Sequence, residues 1–384
     1  CLRGPLWQRG SWRARRRIGA AHRPAYLVDP SVTDAESAKT VTAIELGQPP
    51  TKTGEFHGGN LDWAERAFAR PATGWLDLST GVNPQPYPFT PPRSEAWERL
   101  PTDAEIAALE TAAARRYRLS EQGAIVSAPG SQSLIQLLPR LRKTSKVAVL
   151  SPTYGEHRAA WRAAGHSVVE IENETSFDSD VSVVVLTNPN NPDGRVMSRE
   201  RLSVLRERLA ARGGWLVVDE AFADIAPDTS VADWCGRDSL IVLRSFGKFY
   251  GLAGLRLGFA MTTPPTARVF GEALGPWAIS GPAISIACEA LADEYWHAET
   301  RERLSTTAQR LDAMLAQSGL MIIGGTPLFR LAAGGGAQTI FQRLGRAGIL
   351  VRHFPQNPNW LRFGIPASED DFERVRQALI PPVD

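Results

Sequence analysis

Hydrophobic and polar positions divide the chain from about residue 100 onward into alternating strand-like and helix-like segments. Four apolar runs are continuous rather than alternating, which is typical of parallel strands that are covered on both faces. The segments between them have the helical period, and helices there would supply the crossovers that parallel strands need. The pattern predicts an α/β fold with a mostly parallel sheet flanked by helices. The four runs are residues 147–150, 181–186, 215–218 and 240–243, and one intervening helix is predicted over 198–211.

Two helices are marked at their beginnings by a side chain that can cap the helix. Thr102 precedes Glu105 and Ser368 precedes Asp371, and each pair has the spacing of a capping box. A third helix is predicted over residues 133–141, directly after the turn segment 129–132. These signals indicate where helices begin, which the apolar pattern alone does not.

The region after Gly281 has a different order of elements. Two long helical stretches run to about residue 318, and short strands follow near 321–323 and 328–332. A helix, two strands and a last helix complete a smaller α+β domain. In the arm before the first long helix, the segment 76–83 and a proline-rich run predict turns and extended chain rather than regular structure. The predicted organisation is a leader over 1–50, an N-terminal arm over 51–100, a large α/β domain over 101–285 and a small domain over 286–384.

Charge is distributed unevenly along the chain. Seven arginines come before the first acidic residue, Asp29, and without them the formal net charge of +2 becomes −5. The cluster at 13–17 would suit a nucleic-acid partner, but an unfolded leader or an upstream-extended reading frame has the same composition. We interpret it as a disordered leader, with a transit peptide as the alternative, and predict no nucleic-acid partner. The seven are Arg3, Arg9, Arg13, Arg15, Arg16, Arg17 and Arg23.

Cysteine usage and hydropathy indicate the compartment. Cys1, Cys235 and Cys288 are too few and too widely spaced for a disulfide framework or a CxxC metal site. We therefore predict a cytoplasmic protein without a bound metal. No apolar run approaches the roughly 18 residues that a membrane helix requires, so we expect no membrane association.

Four polar side chains that suit cofactor chemistry occur in order along the chain, and three of them directly follow a predicted strand. In open α/β sheets, ligands bind beyond the carboxyl ends of the strands, so these side chains are expected to share one site. Each alone has an ordinary explanation, namely a turn for the asparagine, a helix cap for the aspartate and a surface position for the lysine. The four are Asn191 in 188–194 (NPNNPDG), Asp219 in 217–221 (VVDEA), Lys248 in 245–248 (SFGK) and Arg256 in 254–258 (GLRLG).

These motifs, in this order, resemble those of the fold-type I pyridoxal-5'-phosphate (PLP) enzymes, which have the aspartate-aminotransferase fold. The resemblance covers about residues 55–380 and points to the branch of histidinol-phosphate aminotransferases and cobalamin-pathway threonine-phosphate decarboxylases. It implies PLP as the cofactor and Lys248 as the catalytic residue that holds PLP as a Schiff base. It also implies a homodimer with sites at the interface. Burial and cations such as Arg256 are expected to lower the pKa of Lys248.

The resemblance also assigns the other cofactor contacts. Asp219 would pair with the protonated pyridine nitrogen, so that the ring can accept electrons when a bond to Cα breaks. Asn191 would donate to the ring oxygen, and Tyr154 would stack on the pyridine face. The cofactor phosphate would lie at a helix N-terminus, where oriented N–H groups and a guanidinium bind it. The residues expected at this phosphate are Ser131, Gln132, Ser245 and Arg256.

For the substrate, the resemblance places Arg362 against the α-carboxylate, because a guanidinium fork matches a carboxylate. We predict a second anion site, for a substrate phosphate, at the backbone turn His57-Gly58 together with Arg352. The segments 57–60 (HGGN) and 77–84 (DLSTGVNP) look like the start of the cobalamin-pathway proteins. Asn83, in the second of these segments, is therefore a further candidate substrate contact.

Two departures from the aminotransferase pattern bear on the reaction. Phe222 stands where aminotransferases of the sister branch usually carry a tyrosine, and Leu100 lies in a segment that lacks the tyrosine many relatives lend across the dimer. The resemblance therefore implies decarboxylation of L-threonine O-3-phosphate to (R)-1-amino-2-propanol O-2-phosphate in cobalamin biosynthesis. The alternative is an aminotransferase of the histidinol-phosphate or aromatic type, because the reaction depends on which Cα bond stands perpendicular to the ring. A PLP-binding regulator without turnover is a third hypothesis.

Overall fold

The computed structural model describes residues 57–69 and 71–380. The predicted leader, its arginine cluster and Cys1 lie outside the described residues. The strands are β1 (Leu76–Leu78), β2 (Ala124–Ala128), β3 (Lys146–Leu150), β4 (Ser167–Ile171), β5 (Val181–Thr187), β6 (Trp215–Asp219), β7 (Leu240–Ser245), β8 (Gly258–Thr262), β9 (Met321–Thr326), β10 (Phe329–Ala333), β11 (Ile349–His353) and β12 (Trp360–Gly364). The helices are α1 (Leu61–Phe68), α2 (Glu95–Glu98), α3 (Asp103–Arg116), α4 (Ser131–Leu137), α5 (Gly155–Ala163), α6 (Arg199–Ala210), α7 (Phe246–Phe249), α8 (Pro264–Leu274), α9 (Gly281–Ala292), α10 (Glu294–Gln317), α11 (Ala337–Arg346) and α12 (Glu369–Leu379). Short 3-10 helices lie at Leu138–Leu141, Ala223–Ile225, Pro227–Thr229, Ala232–Trp234 and Ala253–Leu255.

The larger sheet has seven strands in the order β2-β8-β7-β6-β5-β3-β4. Strands β3 to β7 are parallel, whereas β8 is antiparallel to β7 and β2 is antiparallel to β8. Because β2 is antiparallel to β8, which is itself antiparallel to β7, β2 runs in the same direction as the parallel strands. The predicted mostly parallel sheet is confirmed, and the carboxyl ends of β2, β5, β6 and β7 lie at the same edge as the amino end of β8.

Both faces of this sheet are covered, which explains why its strands are apolar without alternation. In β5, Val184 and Leu186 belong to one hydrophobic core, and Val183 and Val185 belong to another. Successive side chains of a strand point to opposite faces, so a strand between two cores needs apolar residues at every position. The rigid centre of the sheet therefore supports the loops at its edge.

The smaller sheet has five strands in the order β1-β11-β12-β10-β9. Strand β1 pairs in parallel with β11, so that Leu76, Asp77 and Leu78 lie opposite residues 349–351. The sequence predicted only turns and extended chain here, because a three-residue strand has too few positions to show an alternating pattern. The helix, strand, strand, helix order at the carboxyl end is confirmed, and the domain boundaries proposed from the sequence stay predictions.

Helix beginnings follow the capping signals with one exception. Complete capping boxes are present at Thr102 and at Ser368, as predicted. The helix predicted over 133–141 instead begins two residues earlier, as α4, and changes to a 3-10 helix at Leu138–Leu141. Pro139 has no N–H group to continue the α-helical hydrogen bonds, which accounts for the change. Ser131 and Gln132 therefore lie in the first turn of a helix rather than before it.

Within residues 57–69 and 71–380, no helix combines the length and the apolar character needed to cross a bilayer.

Candidate active site

A cavity lies at the edge of the seven-stranded sheet where the carboxyl ends of the parallel strands meet. It brings together all eight predicted cofactor residues and four of the five predicted substrate residues. Because β8 runs opposite to β7, the loop before β8 reaches the same edge and brings Arg256 to the cavity. The individual roles of these side chains stay predictions. Those that line the cavity are His57, Gly58, Ser131, Gln132, Tyr154, Asn191, Asp219, Ser245, Lys248, Arg256, Arg352 and Arg362.

Asp219, the last residue of β6, is buried and holds its carboxylate between two donors. Its Oδ1 accepts a hydrogen bond from the amide N–H of Ala221 at 3.0 Å, and its Oδ2 lies 2.8 Å from Nε2 of His157. Because a carboxylate only accepts, Nε2 of His157 carries the proton. No motif in the sequence marked His157, although it lies in the first turn of α5, only three residues after the predicted cofactor residue Tyr154.

Lys248 lies in α7, the short helix that follows β7. Burial lowers the pKa of Lys248 to about 8, and the guanidinium of Arg362 adds to the lowering, ahead of Arg352 and Arg256. The carboxylate of Asp219 acts in the opposite direction. The predicted direction is confirmed, but burial is its main cause and Arg256 is the smallest of the three cationic contributions. An amine with this pKa is neutral in an appreciable fraction of molecules near pH 7.5, as a nucleophile requires.

Two hydroxyls and a guanidinium surround the beginning of α4. Gly130 precedes the helix with φ +85°, and a Cβ atom there would lie 2.7 Å from Nη2 of Arg256. The missing side chain thus allows the guanidinium of Arg256 to lie against the helix beginning. Ser131 opens α4 and Ser245 ends β7, so both serines reach the same part of the cavity. This donor set suits a phosphate dianion.

The side chain of Gln132 is already engaged within the protein. Its Nε2 donates to Oε2 of Glu156 at 2.9 Å, and its Oε1 accepts from the hydroxyl of Tyr154 at 3.1 Å. Burial, followed by the charge of Glu156, raises the pKa of Tyr154 to about 12, which keeps the hydroxyl protonated as a donor. Gln132 can therefore offer a phosphate its backbone N–H, while its side-chain amide is oriented by Glu156 and Tyr154.

Arg362, in β12, is 3% exposed and connects two segments of the cavity wall. Its Nη1 donates to Oδ1 of Asn191, and its Nη2 donates to the carbonyl oxygen of Ser79 at 2.7 Å. Because Oδ1 of Asn191 is used in this way, the NH₂ group of Asn191 remains to donate to a ligand. In the described part of the chain, Nε of Arg362 has no hydrogen-bond partner.

Charge around Arg362 favours an anion. Burial, followed by the charge of Arg352, lowers the pKa of the Arg362 guanidinium well below its ordinary value, and Asp77 opposes this effect. Arg352 in β11 lies directly opposite Arg362 in the antiparallel register, and both line the cavity. Like charges opposite one another destabilise a sheet. A ligand with two anionic groups would relieve this repulsion.

The turn at His57 and Gly58 closes one side of the cavity. Nε2 of His57 lies 2.9 Å from Oε1 of Glu156. A Cβ atom at Gly58 would lie 2.2 Å from the carbonyl oxygen of Ser79, so only glycine permits the turn to approach β1 so closely. The following helix, α1, packs through Trp63 on the small sheet, and this contact fixes the turn in place.

Asn83 is the predicted site residue that the structure does not bring to the cavity wall. Its side-chain amide donates to the carbonyl oxygen of Phe249 at 2.9 Å, and its Oδ1 accepts from the amide of Gln85 at 3.0 Å. Its backbone N–H donates to the carbonyl oxygen of Lys248 at 2.9 Å. Asn83 thus joins its own segment to α7, and its predicted substrate contact stays a prediction.

Phe222 forms an apolar part of the cavity wall. Its ring lies edge-on to Phe329, with centroids 5.1 Å apart, and Nζ of Lys248 lies 5.8 Å from its centroid. Phe222 offers no hydrogen-bond donor to a ring oxygen, as the sequence predicted. The donor for that oxygen must come from elsewhere in the wall, and the NH₂ group of Asn191 is available.

The arrangement of charge in the cavity fits PLP. The wall combines a buried carboxylate for a ring nitrogen, an amide donor for a ring oxygen, an amine of lowered pKa and a phosphate-binding helix beginning. These features occur in one cavity beside an aromatic ring, that of Tyr154. Fold and cavity together define a PLP-dependent enzyme of fold type I, the class that the motifs indicated.

Comparisons with known proteins define the family. Residues 94–379 match the family described as Aminotransferase class I and II, and the chain belongs to this family. The chain is 44% identical to a threonine-phosphate decarboxylase from Pseudomonas aeruginosa, over 84% of this chain and 97% of that protein. It is 42% identical to a threonine-phosphate decarboxylase from Sinorhizobium sp, again over 84% of this chain and 97% of that protein.

A solved structure supports the fold. The histidinol-phosphate aminotransferase from Sinorhizobium meliloti, in complex with pyridoxal-5'-phosphate, superposes with a TM-score of 0.69 at 23% identity. The match covers 89% of this chain and 97% of that one. At this identity the likeness shows the fold alone, and the predicted aspartate-aminotransferase fold is confirmed.

Proposed function

We propose that the protein decarboxylates L-threonine O-3-phosphate to (R)-1-amino-2-propanol O-2-phosphate, a step of cobalamin biosynthesis. The observation that carries the proposal is the pair of opposed guanidinium groups, Arg352 and Arg362, in one wall of the cavity. L-Threonine O-3-phosphate has a carboxylate and a phosphate, one anionic group for each arginine. The two relatives at 44% and 42% identity, both named threonine-phosphate decarboxylase, support the same substrate.

PLP, when bound, supplies a cationic ring that accepts the electron pair left when the bond between Cα and the carboxylate breaks. Asp219 would keep the ring nitrogen protonated, because a negative charge at that nitrogen favours its cationic form. His157 holds Oδ2 of Asp219 at 2.8 Å and thereby fixes the direction of the carboxylate. The buried pair would thus supply a preorganised negative charge for the ring nitrogen.

Lys248 would attach the cofactor and later handle the proton. After carbon dioxide has left, Cα must be protonated to give the product amine, and Nζ of Lys248 is the candidate proton donor. A pKa of about 8 allows the amine to hold a proton near neutral pH and to release it readily. The apolar ring of Phe222, whose centroid lies 5.8 Å from Nζ, offers the amine no hydrogen-bond partner on this side.

The two arginines would determine which bond breaks. Arg362 would bind the substrate carboxylate, while Arg352 and the turn at His57 and Gly58 would bind the phosphate. With both ends of the substrate fixed, its rotation in the cavity would be restricted, and the two arginines would determine which of the bonds at Cα is presented to the cofactor. Substrate anchoring, rather than a special group at Cα, would then select decarboxylation.

The test is the product formed by the PLP-loaded enzyme. With L-threonine O-3-phosphate we expect one carbon dioxide and one amino alcohol phosphate per substrate consumed. With histidinol phosphate and 2-oxoglutarate we expect no glutamate. Glutamate formation without carbon dioxide release would establish the aminotransferase alternative. If the protein shows the absorbance of bound PLP but forms no product in either assay, the hypothesis of a PLP-binding regulator without turnover would remain.

Arg352 provides a specific test of the phosphate site. Arg352→Ala should raise KM for L-threonine O-3-phosphate by about tenfold or more, because a hydrogen-bonded charge contributes about 1.5–3 kcal/mol. Arg330 is a suitable control, since its guanidinium is engaged by Asp312 through bonds of 2.6 and 2.8 Å. Arg330→Ala should leave KM unchanged. An unchanged KM in Arg352→Ala would refute this assignment of the phosphate site.

We further propose that the enzyme is a homodimer. Large apolar side chains are exposed near the contact between α2 and the beginning of α9, notably Trp97 at 69% and Trp277 at 55% exposure. Exposed apolar patches of this kind mark interaction surfaces. Light scattering should give twice the protomer mass, and Trp97→Asp should shift it towards the monomer; a monomeric wild-type protein would contradict the proposal.

The proposed compartment is the cytoplasm. Cys235 and Cys288 are both free thiols, as a reducing compartment favours. Fractionation of the source cells should recover the protein with cytoplasmic enzymes, and recovery with an exported or organelle fraction would contradict this placement.

A further inference from the structure

A buried carboxylate beside the cavity has no part in the contacts proposed above. Glu156 lies in the first turn of α5 and is 4% exposed. Its Oε1 lies 2.9 Å from Nε2 of His57, and its Oε2 accepts hydrogen bonds from the side-chain amides of Gln132 at 2.9 Å and Gln136 at 3.2 Å. A buried carboxylate is unfavourable unless it is well hydrogen-bonded, and here three side chains from two segments, the turn at His57 and helix α4, contact it.

The charge of Glu156 alone does not explain its position. A negative charge at the cavity wall repels phosphate, and both a cofactor phosphate and a substrate phosphate are proposed nearby. The benefit must therefore come from the groups that the carboxylate holds. His57 belongs to the proposed substrate-phosphate turn, and Gln132 lies in the first turn of α4, where the cofactor phosphate is proposed.

The hydrogen bond to Glu156 determines the proton positions on the His57 ring. A carboxylate accepts only, so Nε2 of His57 is a donor and Nδ1 is the nitrogen left for a ligand. The ring is further held by its packing against Tyr154, with centroids 5.7 Å apart.

We propose that Glu156 is a positioning residue for the substrate phosphate. It accepts a hydrogen bond from the N–H group at Nε2 of His57 and so holds the imidazole at the cavity. Nδ1 is then left for the phosphate, where it accepts from a P–OH group or, on a ring that carries both protons, donates to a phosphate oxygen. The inference rests on the proposed function for the identity of the phosphorylated ligand. It assigns Glu156 no contact with the cofactor or with the reacting atoms.

The test compares Glu156→Gln with the wild-type enzyme, both loaded with PLP. The amide keeps the volume of the side chain but presents an NH₂ group to at least one of the present donors, which breaks that hydrogen bond. We expect KM for L-threonine O-3-phosphate to rise about tenfold or more while kcat changes by less than about threefold. A general structural defect would instead lower kcat, cofactor retention and the unfolding temperature together.

A double-mutant cycle shows whether Glu156 acts through His57. His57→Ala removes the ring, so adding Glu156→Gln to it should raise KM by no more than about twofold further. If the full effect of Glu156→Gln remains in the absence of the ring, the proposal is refuted. Glu170→Gln is the matched control. Glu170, in β4, accepts a hydrogen bond at 2.8 Å from Arg158 of α5, the helix that contains Glu156, but Glu170 forms no hydrogen bond with His57. KM of the Glu170→Gln variant should equal that of the wild type.

Direct binding separates this inference from the proposed function. Inorganic phosphate is titrated calorimetrically into the PLP-loaded wild-type protein and into Glu156→Gln, and we expect Kd to rise about tenfold in the variant. If the wild type releases no carbon dioxide from L-threonine O-3-phosphate, the proposed function is refuted and this titration alone decides the inference. Equal Kd values, or no phosphate binding by the wild type, would overturn it.

Discussion

The buried amine of Lys248 should destabilise the protein when no cofactor is attached. Its pKa falls from the ordinary value of 10.5 to about 8, mainly through burial. Below about pH 8 the amine is therefore charged in both the folded and the unfolded protein, but only the folded protein keeps that charge away from water. Lys248→Met removes the charge and keeps a long apolar side chain, so the cofactor-free variant should be more stable than the wild type.

The size of the gain follows from the two pKa values. A fall from 10.5 to about 8 corresponds to about 3 kcal/mol. Because the folded pKa is the lower one, the unfolded wild type binds more protons between about pH 8 and 10.5, and its free energy of unfolding rises with pH there. The advantage of Lys248→Met should be about 3 kcal/mol at about pH 7, about 2 kcal/mol near pH 9, and close to zero by about pH 11.

Urea unfolding of the cofactor-free proteins measures this difference, by linear extrapolation at each pH and at a constant protein concentration. Lys146→Met is the control. Lys146 lies near the surface within 2.7 Å of Asp178 and 3.1 Å of Asp180, which raise its pKa, so removing it should not stabilise the protein. A gain for Lys248→Met that does not change with pH, or no gain near pH 7, would refute the description of Lys248 as a desolvated amine.

Two further variants test the supports of the cofactor site. His157→Leu removes the hydrogen bond to Asp219 and should lower kcat for carbon dioxide release by about 10- to 100-fold with little change in KM; an unchanged kcat would contradict the role of the pair. Gly130→Ala places a Cβ 2.7 Å from Nη2 of Arg256 and should weaken PLP binding by about tenfold or more in equilibrium dialysis. Gly213→Ala, with φ +65° but no atom within 4 Å of the added Cβ, has comparable backbone strain and should retain PLP normally.

Local signals predicted the parts of the fold that depend on neighbouring residues. The buried strands were recognisable because a strand between two cores, such as β5, must be apolar at every position. The helix beginning at Thr102 was recognisable because its cap involves residues three positions apart. The convergence of Asn191, Asp219 and Lys248 followed from a topological rule, since the carboxyl ends of parallel strands share one edge.

Contacts between distant segments were not predictable in this way. The pairing of β1 with β11 and the bond between His57 and Glu156 join parts of the chain whose meeting no local pattern records. Asn83 shows the converse case: its place in a family motif suggested a substrate contact, whereas in the structure its amide donates to the carbonyl oxygen of Phe249 and it does not line the cavity. A motif identifies the residue, but its hydrogen-bond partner is known only from the folded structure.

The most direct test of the central claim is where the protein attaches PLP. The loaded enzyme is reduced with borohydride, digested, and analysed by mass spectrometry. We expect the reduced cofactor on the nitrogen of Lys248 in the wild type and no covalent cofactor in Lys248→Ala. Reduced cofactor on a different lysine of the wild type, or covalent cofactor in Lys248→Ala, would contradict the account.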